Sequence, residues 1–308
     1  MKGTGKRPAP ANVLSAVLPT WEQTLLLRAC LQSGESAREA WEAWQLQARN
    51  GRNGLEQTRA VGSLRTLFLS ALHSNGVAAD KPFLTSLRVA HLREEARTKI
   101  YRRICGDVLS TLRTEKIQAI LLKGAALAET VYASPVLRHC HDIDILLMDG
   151  DLRRTVTALS KQEFTPFEEE PNPVIDHMKL VHKSGLPLEL HSRLFRSPFY
   201  NEISADLWTR SQEQAIADVP AHILSPADNL LHVCVHAFYS EIRQSLRWVC
   251  DSWFIIDRYP NLEWDILLDS VRRSDLALPV SIILGYLAQK LDAAIPTAFL
   301  DRLHAAVS

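Results

Sequence analysis

Two aspartates spaced two residues apart, Asp142 and Asp144, sit in the run His141-Asp142-Ile143-Asp144-Ile145-Leu146-Leu147. In an extended strand alternate side chains share a face, so both carboxylates project one way while Ile143 and Ile145 enter a core. The flanking isoleucines and leucines specify a mostly buried strand, where two carboxylates are costly unless something offsets their charge. A hard divalent cation does so. A second Asp-x-Asp, Asp149-Gly150-Asp151, lacks that setting. Its Gly and the following Leu152-Arg153-Arg154 specify a turn and a helix start, where Asp caps backbone N–H groups.

Upstream lies Leu121-Leu122-Lys123-Gly124-Ala125-Ala126, a short apolar run that ends in a Gly turn leading into a helix. A helix N-terminus offers unpaired N–H groups and a favourable dipole to phosphate. Lys123 adds a point charge there, or else is a solvated lysine at a strand end. Gly124 allows close approach of the backbone to a phosphorylated ligand. Arg138, in the loop before the aspartate strand, suits either a bidentate phosphate contact or a structural pair with an acidic side chain.

Strand, Gly-containing turn, helix, then a strand bearing Asp-x-Asp is an order that resembles the DNA polymerase beta-like nucleotidyltransferase superfamily. The superfamily usually has Gly-Ser or Gly-Gly at the turn, whereas this chain has Lys123-Gly124-Ala125. A closer resemblance is to the bacterial family of uncharacterised nucleotidyltransferases. It is carried by Leu122 to Leu127, Tyr132, Arg138 and Asp142 to Leu146, and continues through Leu188-Glu189-Leu190-His191, Leu224-Ser225-Pro226-Ala227-Asp228, Leu246 to Asp251 and Leu262-Glu263-Trp264-Asp265. The ordered set spans roughly the last two thirds of the chain and is far more specific than any one member.

The resemblance implies transfer of a nucleoside monophosphate from a nucleoside triphosphate to an acceptor, with magnesium, most simply two ions, neutralising the reacting phosphate and the departing pyrophosphate. Such a clamp needs a third carboxylate beside Asp142 and Asp144. In Leu186-Pro187-Leu188-Glu189-Leu190-His191, Leu188 and Leu190 face a core and Glu189 projects oppositely. Glu189 is therefore the candidate to hold the acceptor-side ion and help remove the acceptor's proton, the alternative being an exposed strand glutamate. His191 shares its face, and either orients Glu189 and touches substrate or is a hydrogen-bonded structural histidine. Lys123, Gly124 and Arg138 complete the expected nucleotide contacts. His139-Cys140-His141 reads as a loop entering a strand, since consecutive residues rarely converge on one cation. His232 and His236 share a helix face without the Glu of a metalloprotease motif.

The elements that must position these residues follow from hydrophobic spacing. Helices are expected from about Val13 to Gln32, Ala37 to Ala48, Leu55 to His73 and Phe83 to Arg113. Ile117 to Leu122 and Asp142 to Met148 read as strands, and Ala125 to Tyr132 and Leu152 to Ser160 as helices. Lys179 to His182 and Leu186 to His191 form a hairpin turned at Ser184-Gly185. Ser225-Pro226-Ala227-Asp228 starts a helix, and further helices fall near Asn229 to Tyr239, Leu246 to Asp257, Trp264 to Arg272 and Pro279 to Gln289. The expected architecture is α/β: a polymerase-beta-like core with a small mixed sheet over 116–222. A tail at 1–12 and helical regions at 13–115 and 223–308 flank it.

Composition sets bounds. The chain has 308 residues, 46% of them hydrophobic, and a formal net charge of +0. That is ample for a globular core and argues against strong general nucleic-acid binding. The five cysteines are scattered without a Cys-x-x-Cys pair, so no disulfide framework or zinc ribbon is expected. With neither a signal-peptide core nor a membrane-spanning run, a cytoplasmic location is expected. The expected partners are a nucleoside triphosphate and an acceptor that is a small molecule, a peptide or RNA, as for toxin-type tRNA nucleotidyltransferases. The alternatives are a non-catalytic helical adaptor on a decayed nucleotidyltransferase fold and a γ-phosphate transferase. For the latter, the Gly-rich loop and His-Arg-Asp signature of protein kinases are absent.

Overall fold

The computed structural model describes residues 17–50, 62–167, 177–195, 203–239 and 246–307. The expected tail at 1–12, and the expected helical stretches Val13 to Ala16 and Leu55 to Val61, lie outside them.

The chain begins with α1 (Trp21–Leu31), α2 (Gly34–Asn50), α3 (Arg65–Ser74) and the 34-residue α4 (Lys81–Thr114). Thr20 and Gln23 form a reciprocal capping box at the start of α1. Asp80 caps α4 by accepting from the Phe83 N–H at 2.8 Å, and Pro82 lies in the first turn. The core elements follow as β1 (Ala119–Leu122), α5 (Lys123–Thr130), a 3-10 turn at Pro135–Leu137, β2 (Ile143–Leu147), α6 (Leu152–Ser160), β3 (Phe164–Pro166), β4 (His177–His182) and β5 (Pro187–His191). After α7 (Ser204–Arg210) come β6 (Gln212–Ile216) and β7 (Val219–Ile223). The chain closes with α8 (Pro226–Tyr239), α9 (Arg247–Arg258), α10 (Trp264–Arg273), α11 (Ala277–Leu291) and α12 (Thr297–His304).

The strands form one mixed sheet in the order β3-β4-β5-β2-β1-β7-β6. At its centre β2 runs antiparallel to β1 and parallel to β5. The expected hairpin is β4–β5, with Gly185 at φ +84 in its turn. Sequence patterning did not find β3, α7, α12 or the β6–β7 hairpin. The last turns through Ala217 and Asp218, both at positive φ, without the Asn-Gly or Gly signal that usually marks such a turn.

Alternation along the central strands divides the interior in two. Leu121, Ile143, Ile145, Leu147, Leu188 and Leu190 pack on the face covered by α4 and α6. On α4 the buried positions Tyr101, Ile104, Cys105, Val108, Leu109 and Leu112 recur at helical spacing and make that contact. Ile120, Leu122 and Leu146 point to the opposite face, into a core shared by α1, α2, α3 and the C-terminal helices. The two helical flanks, far apart in sequence, thus merge into one body: Leu26 and Leu27 of α1 share that core with Val280, Ile283 and Leu284 of α11. Thr24 is hydrogen-bonded to the Tyr286 hydroxyl at 2.9 Å. Trp248 is buried, and Trp264 packs on Phe299 at 4.7 Å. Among the described residues, no helix is long and apolar enough to cross a membrane.

Candidate active site

Register brings the carboxylates together. Asp144 lies opposite Glu189 in the parallel β2–β5 pair and opposite Leu122 in the antiparallel β1–β2 pair. Lys123, the next residue, sits at φ 50 and opens α5. This left-handed conformation is costly for a residue with a Cβ. From there the Lys123 ammonium donates to Asp144 Oδ1 at 2.6 Å, and His191 Nε2 lies 2.9 Å from the same oxygen. Asp142 stands one residue before β2, its backbone carbonyl accepting from the Tyr101 hydroxyl of α4 at 2.6 Å. Glu189 Oε2 is 3.4 Å from His177 Nε2 and 3.9 Å from His191 Nε2. Side-chain exposure rises outward along this row, from 2% at Asp144 to 17% at His191, 24% at Glu189 and 43% at His177. The row therefore runs from the protein interior to solvent.

The two aspartates are electrostatically unlike. Burial and the neighbouring Asp144 charge push the Asp142 carboxyl up to about 6. Burial acts on Asp144 in the same direction, but the Lys123 ammonium and the His191 hydrogen bond overcome it and hold that carboxyl well below the usual range. The hydrogen bond from His177 lowers Glu189. His141, 3.2 Å from Asp142 and 2.8 Å from an Arg247 nitrogen, is lowered to about 4 by burial and by Arg247. Burial also lowers His191. Around neutral pH the cluster therefore holds three carboxylates against the Lys123 ammonium, with the imidazoles of His141 and His191 neutral. Oxygen donors with surplus negative charge at the mouth of a buried site fit a divalent cation.

Arg138 is engaged elsewhere. Its guanidinium forms a bidentate pair with Asp251 of α9, at 3.1 and 2.7 Å, and Asp251 also accepts from the Tyr132 hydroxyl at 2.7 Å. Arg138 and Asp251 are both nearly buried. Of the two alternatives for Arg138, the structure thus shows the acidic pair. The same guanidinium explains Gly124, whose φ is not positive. A Cβ there would collide with an Arg138 nitrogen and come within 2.8 Å of Arg138 Cζ and 3.1 Å of Cys140 Sγ. Within α9, Arg247 reaches out to His141.

The residues of His139-Cys140-His141 go to separate partners. His139 meets Glu94 at 2.8 Å, Cys140 is buried, and His141 meets Asp142 and Arg247. His232 is buried on α8 and its basicity is well below normal through burial and the nearby Lys123 charge. Asp151 occupies the cap position of α6, although its side chain makes no capping hydrogen bond. Sequence reasoning missed His177 and the His141–Arg247 contact. The first was within reach: carrying the β4–β5 register two residues beyond Lys179 sets His177 opposite His191.

No curated protein matches the chain. Among solved structures it is loosely similar to the lincomycin-bound lincosamide antibiotic adenylyltransferase LnuA, with 16% identity over 50% of this chain and 94% of that one, TM-score 0.35. A second is the antibiotic-resistance factor ANT(2'')-Ia, with 12% identity over 63% and 95% and a TM-score of 0.35. A third is an antigenic nucleotidyltransferase-like protein from Paracoccidioides brasiliensis, with 16% identity over 65% and 95% and a TM-score of 0.41. The family model described as "Uncharacterised nucleotidyltransferase" matches residues 57–292, so this chain, with its converging carboxylates, belongs to that nucleotidyltransferase family.

Proposed function

We propose that the protein transfers a nucleoside monophosphate from a nucleoside triphosphate to a hydroxyl or similar acceptor, with Asp142, Asp144 and Glu189 holding magnesium. The observation that carries this reading is that Asp142, Asp144 and Glu189, brought to neighbouring positions by the β2–β5 register, outnumber the one ammonium, Lys123, among them. When bound, magnesium supplies Lewis-acid stabilisation of the reacting phosphate and the departing pyrophosphate. Asp142 and Asp144 bind the triphosphate side. Lys123, whose ammonium donates to Asp144 Oδ1 at 2.6 Å, would hold the β- or γ-phosphate. Glu189, kept ionised by its contact with His177, orients the acceptor and accepts its proton. His191 fixes Asp144 from the other side. Arg138 shapes the turn at Gly124 from behind, through its pair with Asp251.

The test is product analysis. Wild-type protein, magnesium and each common triphosphate are incubated with small-molecule, peptide and RNA acceptors. Pyrophosphate release with labelled monophosphate on the acceptor supports the reading; release of the nucleoside diphosphate would make the protein a γ-phosphate transferase. Glu189→Gln should bind nucleotide nearly as wild type while turning over far more slowly, because the interaction lost matters mainly in the transition state. Equal turnover in the two proteins would remove Glu189 from the chemistry.

A further inference from the structure

Glu189 faces two imidazoles as well as two aspartates, and imidazole is a poor ligand for magnesium. His177 begins β4 and His191 ends β5; the two are direct partners in the antiparallel register, and Glu189 lies two residues from His191 on the same face. The backbone therefore fixes all three on one surface. One donor atom from each lies within 4.8 Å of the other two. Glu189 Oε2 is 3.4 Å from His177 Nε2 and 3.9 Å from His191 Nε2, and the two rings are 4.9 Å apart. An ion bound at about 2.0–2.1 Å from each ligand in tetrahedral geometry needs donors roughly 3.4 Å apart, so small side-chain rotations suffice. Behind the trio, Asp144 Oδ1 lies 2.9 Å from His191 Nε2 and 2.6 Å from the Lys123 ammonium, so it is engaged and the fourth coordination position is left to solvent.

We propose that His177, Glu189 and His191 form a site for a zinc-class divalent ion, which takes Glu189 in place of magnesium and leaves Asp142 and Asp144 to the magnesium of the triphosphate side. Two imidazoles and a carboxylate on one face suit Zn²⁺, Fe²⁺ or Co²⁺, whereas Mg²⁺ favours oxygen ligands and retains its waters. The site is built at the outer end of the carboxylate row, with His177 half-exposed, so an ion can enter and an open coordination position can face solvent. If the transfer reaction is as proposed, this ion sits on the acceptor side and sets the metal requirement of the enzyme. The role rests on that reading; the binding does not.

Metal-free protein is titrated with Co²⁺, followed by visible absorption, and with Zn²⁺, followed by calorimetry, in millimolar magnesium and without nucleotide. The expected result is one Co²⁺ or Zn²⁺ per chain despite excess magnesium, with a d–d band signalling nitrogen coordination. His177→Ala and His177→Gln should weaken binding by at least roughly 10- to 100-fold. His182→Ala, which removes a partly buried histidine of the same strand bonded to Ser184, should bind as wild type. Unfolding curves establish that each variant is folded, and two substitutions at this half-exposed position guard against a misfolding artefact. Absence of a d–d band in wild type, or wild-type affinity in both His177 variants, would reduce the trio to a hydrogen-bonded group and overturn the site. Since no nucleotide is present, that failure leaves the transferase reading standing. Conversely, a protein that binds Co²⁺ yet never releases pyrophosphate overturns the transferase reading and leaves the site.

Discussion

One carboxylate, Asp251, and a set of three, Asp142, Asp144 and Glu189, lie on either side of the Lys123-Gly124 turn, and their partners differ. On one side Asp251 receives both arms of the Arg138 guanidinium and the Tyr132 hydroxyl, and the assembly is nearly closed to water. On the other side Asp142, Asp144 and Glu189 share the Lys123 ammonium and opening to solvent increases outward. Burial alone does not separate architecture from chemistry, since Asp144 is as buried as Asp251. The balance of charge does. A buried acid whose donors match its lone pairs is complete, whereas a cluster with surplus negative charge has capacity to recruit a cation.

Substitutions can break that contrast, beginning with the largest effect. Asp144→Asn should lower turnover on the order of 10³-fold, about 4 kcal/mol of transition-state stabilisation, because Lys123 and His191 both meet at this carboxylate, which in the proposed reaction also holds magnesium. Steady-state rates of pyrophosphate release check this, and a variant within tenfold of wild type would place the reaction elsewhere. Asp251→Asn should cost about 3–5 kcal/mol of folding stability by stranding the Arg138 charge, read as a lower urea midpoint. If the midpoint barely moves, the sealed group is not the architectural one. Gly124→Ala should cost roughly 1–3 kcal/mol, since the new methyl must displace the Arg138 guanidinium. Thermal melts of Gly124→Ala alone and combined with Arg138→Ala test this; rescue in the double variant is expected.

The smallest effect has the opposite sign. In metal-free protein the Asp142 carboxyl is raised to about 6 by burial and by Asp144. Its folded value lies above the unfolded one, so its contribution is fully present below pH 4 and lost as pH rises through 6. Asp144 behaves inversely: its lowered value adds stability above the ordinary carboxylate range, which is lost as pH falls. Asp142→Asn should therefore stabilise the metal-free protein at pH 7.5 by about 1–3 kcal/mol and have little effect below pH 4. Urea unfolding in chelator at both pH values decides the matter, and a variant less stable than wild type at pH 7.5 would refute the repulsion.

Much of the carboxylate row was legible because it depends on local alternation. Asp142, Asp144 and Glu189 each sit among aliphatic residues whose strand period fixes their face, and Gly185 marks the hairpin that carries Glu189 and His191. The fate of Arg138 was not legible between its two alternatives, since its partner Asp251 lies 113 residues away on another element. The β6–β7 hairpin was missed because Ala217 and Asp218 adopt left-handed conformations without the residues that usually advertise them. Helix positions were read well where apolar spacing was long, as in α4, and missed where the helix was short, as in α7 and α12.

The union of the two helical flanks in one core has a consequence for biosynthesis. Leu26 and Leu27 of α1 complete their surroundings with helices made near the end of translation; Thr24 and its partner Tyr286 are 262 residues apart. At about 5–20 residues per second, α1 waits roughly 13–50 seconds on the ribosome with the part of its apolar surface that meets α11 uncovered, although α2 and α3 can cover the rest early. The sheet can pair before then, but the body that closes over it cannot. Pulse proteolysis of stalled nascent chains should find the segment before residue 50 cleavable until α11 emerges, which would make these helices the natural client of a ribosome-associated chaperone.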